Sequence, residues 1–264
     1  MPAKGREVSA LKATFTNTVG FGLALAVAAG TTGPAVAACS SEEFRQATYS
    51  ICEFDTARDR FELFLDDADG TRLESFERLS NLLQSRGQSL RFAMNAGMYH
   101  EDRSPVGLHV ESGRTMKRAS TSDGPGNFHL KPNGIFYVAA GTAHVAETGA
   151  FLARAPLAQY ATQSGPMLVI GGAVHPKFRA DSTSRYRRNG VGVAGSRVVF
   201  ALAETPVTLL DFALFFRDRA QTPDALYLDG SVSRLYAPEL KRNDGGTAMG
   251  PIIAVTTASS REKP

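Results

Sequence analysis

Apolar and polar positions change period several times along the chain, and each change marks an element. Residues 49–54 (YSICEF) and 61–65 (FELFL) alternate well enough to predict two short strands joined by a turn. The stretch Asp66-Asp67-Ala68-Asp69-Gly70 reads as an acidic hairpin turn. As a calcium loop it lacks the distant bidentate Glu, because Glu74 comes too soon. Leu73, Phe76, Leu79, Leu82 and Leu83 share one helical face, which predicts a helix over 73–84 with Gly87 near its stop. From Leu90 the pattern shifts to short strands punctuated by Gly, Pro and Asn, at 90–94, 106–110, 134–138 and 166–170. A short helix is expected within 151–163, with Pro156 as its breaker. An apolar strand follows at 198–203. Then Thr208-Leu209-Leu210-Asp211 has the form of a capping box with Asp in place of Glu, and opens a helix to about Arg219. Strands at 225–228 and 250–256 complete the series. Strands outnumber helices, and only the 208–219 helix is flanked like a parallel crossover. The expectation is an α+β fold, with mixed or antiparallel sheets and a few interspersed helices, in a single domain.

The first 37 residues read as an address rather than as part of that fold. Lys4, Arg6 and Lys12 form a positive segment ahead of an apolar core, Val19 to Ala29, too short to span a bilayer. Ala35-Val36-Ala37 fits a cleavage site, giving a signal peptide over 1–37 and a mature domain over 38–264, periplasmic or extracellular. Cys39 and Cys52 are the two cysteines of the chain, and both follow that site closely. An oxidising compartment favours a Cys39–Cys52 disulfide. The alternative is a lipid anchor on Cys39, since Val36-Ala37-Ala38-Cys39 resembles a lipoprotein box.

Charge narrows the partners. Residues 1–37 hold three of the 29 basic residues and one of the 26 acidic ones, so the mature part is close to neutral. No polybasic block or basic–aromatic interleaving appears, which argues against nucleic acid. No segment after residue 37 is apolar enough for a membrane span.

The chemistry gathers at strand ends. Ala225 to Leu228 leads into Asp229-Gly230-Ser231, so a carboxylate sits where a strand fixes its position. The bland alternative is an Asp-Gly turn. Four other segments set polar groups among glycines: Asn95-Ala96-Gly97, Asn127 to Gly134 with Asn133, Gln163-Ser164-Gly165-Pro166, and Ser182 to Gly190. Amides and hydroxyls at strand edges suit a hydroxyl-rich or phosphate-bearing ligand. Arg185, Arg187 and Arg188 offer a fork for an anion, or else a solvated basic loop. The five histidines include no ligand pair such as H-E-x-x-H, so no metal or cofactor is expected. A G-x-S-x-G elbow is also absent.

These segments carry a resemblance. From about Phe92 to Val255 the chain resembles the phosphodiester glycosidase family, and within it a bacterial exported subgroup. Asn95-Ala96-Gly97 is similar to the family's Asn-Gly-Gly, and Ser164-Gly165-Pro166 to its Gly-Gly-Pro. Arg188-Asn189-Gly190-Val191-Gly192 is similar to Arg-Thr-x-x-Gly, and Leu228 to Ser233 to Leu-Asp-Gly-Gly-Gly-Ser. Glu204-Thr205-Pro206 stands where the family has Asp-Gly-Arg, keeping a carboxylate and losing the arginine. The resemblance implies hydrolysis of a sugar-1-phosphodiester on a cell-envelope or extracellular glycan, without a cofactor. Asp229 would stabilise or attack an oxocarbenium-like centre, Glu204 would activate water, and Arg188 would neutralise phosphate. Asn95, Gly97, Asn133, Ser164, Gly165, Asn189 and Ser231 would bind substrate. The rival reading is a non-catalytic cell-envelope glycan-binding protein that retains the pocket; the substituted glycines favour it, and the two carboxylates favour the enzyme.

Overall fold

Three antiparallel sheets surround one apolar centre, and each carries a helix on its outer face. The computed structural model describes Met1 and residues 38–258. The expected signal peptide therefore lies almost wholly outside the described residues. The chain runs β1 (Cys39–Phe44), β2 (Ala47–Asp55), β3 (Arg60–Phe64), α1 (Phe76–Ser85), β4 (Gln88–Asn95), β5 (His109–Glu111) and β6 (Arg114–Lys117). It continues through β7 (Gly134–Ala139), β8 (Thr142–Glu147), α2 (Thr148–Arg154), β9 (Tyr160–Ser164), β10 (Met167–Ile170), β11 (Ala173–Val174) and β12 (Tyr186–Ala194). It ends with β13 (Arg197–Val207), α3 (Leu209–Leu214), β14 (Asp224–Tyr227), β15 (Leu235–Ala237), β16 (Arg242–Asn243) and β17 (Ile252–Ala258).

The largest sheet has the order β1-β2-β13-β12-β14-β10-β11; the others are β16-β15-β4-β17-β3 and β6-β5-β9-β7-β8. No sheet closes into a barrel. Alternation along each strand decides what it buries. On β13, Val198, Phe200 and Leu202 face the shared centre, while Val199, Ala201 and Ala203 face α3. Phe200 sits amid that centre, its ring 4.7 Å from Phe92 and 6.2 Å from both Phe54 and Phe136. Phe76, Leu79 and Leu83 of α1 cover Leu90, Ala93, Ile252 and Ala254 of the second sheet. Each such side chain contributes roughly 1.5–3 kcal/mol on burial. Phe151 of α2 packs on Ile135, Tyr137 and Ala161 of the third.

Several expectations need correcting. The strands at 49–54 and 61–65 do not form a hairpin: β2 pairs with β1 and β13, and β3 pairs with β17. Both strands feed the same central cluster through Phe54, Phe61 and Leu63, so the chain crosses between sheets instead of folding back. The acidic turn after β3 is a hairpin-like turn, with Asp67 Oδ1 accepting from the amides of Asp69 and Thr71. The helix expected within 151–163 starts earlier, at Thr148, and ends at Arg154 before left-handed Ala155 and Pro156. Tyr160–Ser164 is then a strand, buried on both faces over most of its length. The capping box does form: Thr208 and Asp211 exchange side-chain-to-amide hydrogen bonds at the start of α3. β13 and β14 both pair antiparallel with β12, so they run parallel, with α3 as their crossover.

Cys39 and Cys52 face each other across the β1–β2 register and are joined by a disulfide.

Candidate active site

The core-facing side of the largest sheet turns polar at one end, and the candidate site begins there. On β12, Val191 and Val193 face the shared centre, whereas Gly190 and Gly192 lie against Phe212, Phe216 and Thr222 beneath α3. The period of two puts Arg187 on the centre's side and Arg188 on the helix side. The same parity extends Phe200 and Leu202 to Glu204. These groups meet. Arg187 Nη2 lies 2.7 Å from Glu204 Oε2, and Glu204 Oε1 accepts from Ser50 Oγ at 2.7 Å. Arg242, on β16, also donates to Glu204 Oε1 and to Asp244. Burial alone would lower the Arg242 pKa, but Asp244 and Glu204 outweigh it and raise it.

A cleft of about 420 Å³ opens beside this cluster, lined by Arg187, Gly230, Arg234, Arg242, Asp244 and Thr247 among others. Three guanidiniums against one wall carboxylate, with Glu204 bridging two of them, make it suited to an anion. Asp229 is half-buried, two residues beyond the end of β14 and next to Gly230. Its charge raises the pKa of Tyr227 and of Tyr99, each already raised more by burial.

A buried amide frame holds the Asp229 segment. Asn95 Nδ2 donates to the Asp229 carbonyl at 2.8 Å, and Asn95 Oδ1 accepts from the Arg234 amide at 2.9 Å. Asn189 Nδ2 in turn donates to Asn95 Oδ1 at 3.1 Å. Ser164 Oγ donates to the Leu228 carbonyl at 2.9 Å. Asn133 links Phe128 and Thr148. Gly97 presses on β9: a Cβ there would fall 2.3 Å from the Gln163 carbonyl oxygen. At Gly165 a Cβ would fall 2.6 Å from the Asn133 Cβ.

The sequence-derived candidates therefore divide. Neither Asp229 nor Glu204 lines the cleft itself: Glu204 bonds to Arg187 and Arg242, which do, and Asp229 directly precedes Gly230, which also does. Asn95, Asn133, Ser164 and Asn189 are fully buried and spend their side chains on protein groups. Arg188 is 1% exposed and is not part of the cleft wall. Ser231 lies in a short 3-10 turn, Gly230–Val232, and its side chain falls outside the described parts. Sequence reasoning did not single out Arg234, Arg242, Asp244 or Tyr227. Gly190 and Gly192 alternating with Val191 and Val193 held the parity that separates Arg187 from Arg188. Residues 234–247 offered no such signal. Among the described residues no three His, Cys, Asp or Glu side chains cluster as metal ligands would.

A family model described as phosphodiester glycosidase matches residues 88–256, from β4 through most of β17. The chain belongs to the phosphodiester glycosidase family. It is 33% identical over 179 residues to Uncharacterized protein YigE of Escherichia coli (strain K12), spanning 67% of this chain and 70% of that one. Among solved structures it is similar to the catalytic domain of zebrafish N-acetylglucosamine-1-phosphodiester alpha-N-acetylglucosaminidase, auto-inhibited by its pro-peptide. That match has a TM-score of 0.59 and 13% identity, over 82% of this chain and 81% of the other. A hypothetical protein from Synechocystis matches with a TM-score of 0.52 and 13% identity, over 83% of this chain and 61% of the other. At these identities the two structures show the fold. Family membership supports a glycosidase-type function.

Proposed function

We propose that this chain is an exported hydrolase that cleaves the bond between an anomeric carbon and the oxygen of a phosphodiester. The observation that carries this reading is the arginine-lined cleft beside strand-end Asp229. The phosphodiester anion lies against Arg187 and Arg234, which places the anomeric carbon towards Asp229. As the C–O bond breaks, its electron pair leaves on a phosphate oxygen, already a stable anion, so little acid assistance is needed. The Asp229 carboxylate stabilises or captures the positive charge that develops on the sugar. Water supplies the hydroxyl of the released sugar, and its second proton goes to solvent or phosphate. Glu204 takes a different part from water activation. Both its oxygens are engaged by guanidiniums, so it orients Arg187 and Arg242.

Three features support the finer terms of the proposal. The zebrafish protein is named for a sugar-1-phosphodiester substrate. The Cys39–Cys52 bridge suits an oxidising compartment outside the cytoplasm. Residues 1–37 have the order of a signal peptide, leaving 38–264 as the mature domain.

The test is purified 38–264 protein incubated with a panel of glycosyl-1-phosphodiesters, with and without chelator, reading free reducing sugar. Release from at least one, lost with Asp229→Asn, is expected. Binding of panel members without turnover would overturn the hydrolase reading and favour a glycan-binding protein.

A further inference from the structure

We infer that Arg188, the arginine of the family-like Arg-x-x-x-Gly segment, is a positioning residue that acts on Asp229 through Tyr227 and never touches the substrate anion. This rests on the proposed role of Asp229. Arg188 faces α3 rather than the cleft, and its side chain is among the largest that are fully buried. Nε donates to the Val207 carbonyl at 2.8 Å and Nη2 to the Ser184 carbonyl at 3.0 Å. Its guanidinium carbon lies 5.5 Å from the centre of the Tyr227 ring and 5.6 Å from that of Tyr186. Nη1 has no acceptor in hydrogen-bond geometry. The Tyr227 hydroxyl nevertheless interacts with the guanidinium closely enough that each shifts the other's ionisation. Carbonyls and ring faces hold this cation, which is costly unless the position matters.

Tyr227 carries the position onward. Its hydroxyl accepts the Gly230 amide at 3.0 Å, one residue past Asp229. A Cβ at position 230 would lie 2.2 Å from that hydroxyl, so glycine is required there for the tyrosine to sit beneath the turn. A continuous path thus runs from the Val207 and Ser184 carbonyls through Arg188 and Tyr227 to the Gly230 amide. Asn95 holds the Asp229 carbonyl from the other side. Arg187, one residue earlier and half-exposed, is the strand's contribution to the cleft.

The test uses the folded chain carrying Tyr227→Phe, Arg188→Lys or Arg187→Ala. Three readouts are taken: hydrogen exchange at the Gly230 amide, inorganic phosphate affinity, and kcat with KM on whichever phosphodiester the wild type hydrolyses. Tyr227→Phe and Arg188→Lys should speed Gly230 exchange roughly tenfold, the scale of one hydrogen bond lost. They should lower kcat while KM and phosphate affinity stay within about twofold of wild type. Arg187→Ala should do the reverse, weakening phosphate roughly fivefold with Gly230 exchange unchanged. Unchanged Gly230 exchange in Tyr227→Phe would overturn the inference. So would phosphate weakening by Arg188→Lys that matches Arg187→Ala. Tyr227→Phe removes one oxygen and keeps the ring, so it decides the matter if Arg188→Lys does not fold. The exchange and phosphate arms need no turnover, so they stand even if the hydrolase reading fails.

Discussion

Replacing Glu204 by Gln separates two parts this residue can play. If it activates water, Gln abolishes turnover. If it is the counter-charge that orients the cleft guanidiniums, Gln strengthens anion binding. The structure favours the second. Glu204 bonds Arg187 and Arg242 directly, and both line the cleft. An anion resting on the far side of the Arg187 guanidinium lies ~6 Å from the carboxylate. Two unit charges at that spacing repel by about 0.7 kcal/mol with water-like screening and about 2.8 kcal/mol with the screening near a protein surface. The Glu204 side chain is 27% exposed, so the lower half of that range applies. We take ~1 kcal/mol, about fivefold in affinity. The assay is calorimetric titration of wild type and Glu204→Gln with inorganic phosphate at low and moderate salt. A roughly fivefold tighter Kd, shrinking as salt rises, is expected. The cost is lost ion pairing at Arg187, about half exposed, and at the more buried Arg242, which keeps Asp244, so stability should fall by about 1–2 kcal/mol. Unchanged or weaker phosphate binding in a folded Glu204→Gln protein would refute the reasoning.

Other outcomes follow from the same geometry. Asp229→Asn should lower kcat by ~100-fold or more with the fold intact, and should let Tyr99 and Tyr227 ionise at lower pH in an ultraviolet titration, since the Asp229 charge raises both. Replacing Cys39 and Cys52 together by Ala should cost at most about 3 kcal/mol, from a cross-link spanning 13 residues, seen as a Tm lowered by about 6–12 °C and matched by wild type under reductant. Tyr49, Tyr99, Tyr160 and Tyr227 all have pKa values raised above the ordinary 10.0. The unfolded chain therefore loses those protons first: their stabilisation is whole below pH 10 and falls as pH rises beyond it, which denaturant titrations at pH 9 and 11 will read.

The period of the apolar residues made much of the fold legible. The 73–84 stripe and the Thr208–Asp211 cap became α1 and α3, because an amphipathic face and a cap are local devices. Sheet membership was not local. The alternation of 49–54 and 61–65 is the same whether the strands pair with each other or stand in different sheets, and long-range burial of Phe54 and Phe61 chose the second. At the candidate site, motif order drew attention to segments that the fold brings together around residues 228–229, without telling which of their side chains face the cleft. Polar residues among glycines look alike whether they meet a ligand or bind the backbone. Asn95 and Asn189 do the latter, since two loops meeting in the interior leave amides to satisfy. The motif favours Arg188 for the anion, whereas the valine–glycine alternation that follows puts Arg187 on the centre's side of the strand and Arg188 on the helix side.

The disulfide has a reach beyond the edge strand it fastens. The Cys39 amide donates to Glu239 at 2.6 Å, in the short turn Pro238–Leu240. Three residues further on, Arg242 enters the cleft beside Glu204. The lip that presents Arg242 is thus moored, through one hydrogen bond, to a covalently stapled strand. Oxidation at Cys39 and the shape of the arginine-lined mouth, some two hundred residues apart in sequence, are thereby mechanically coupled.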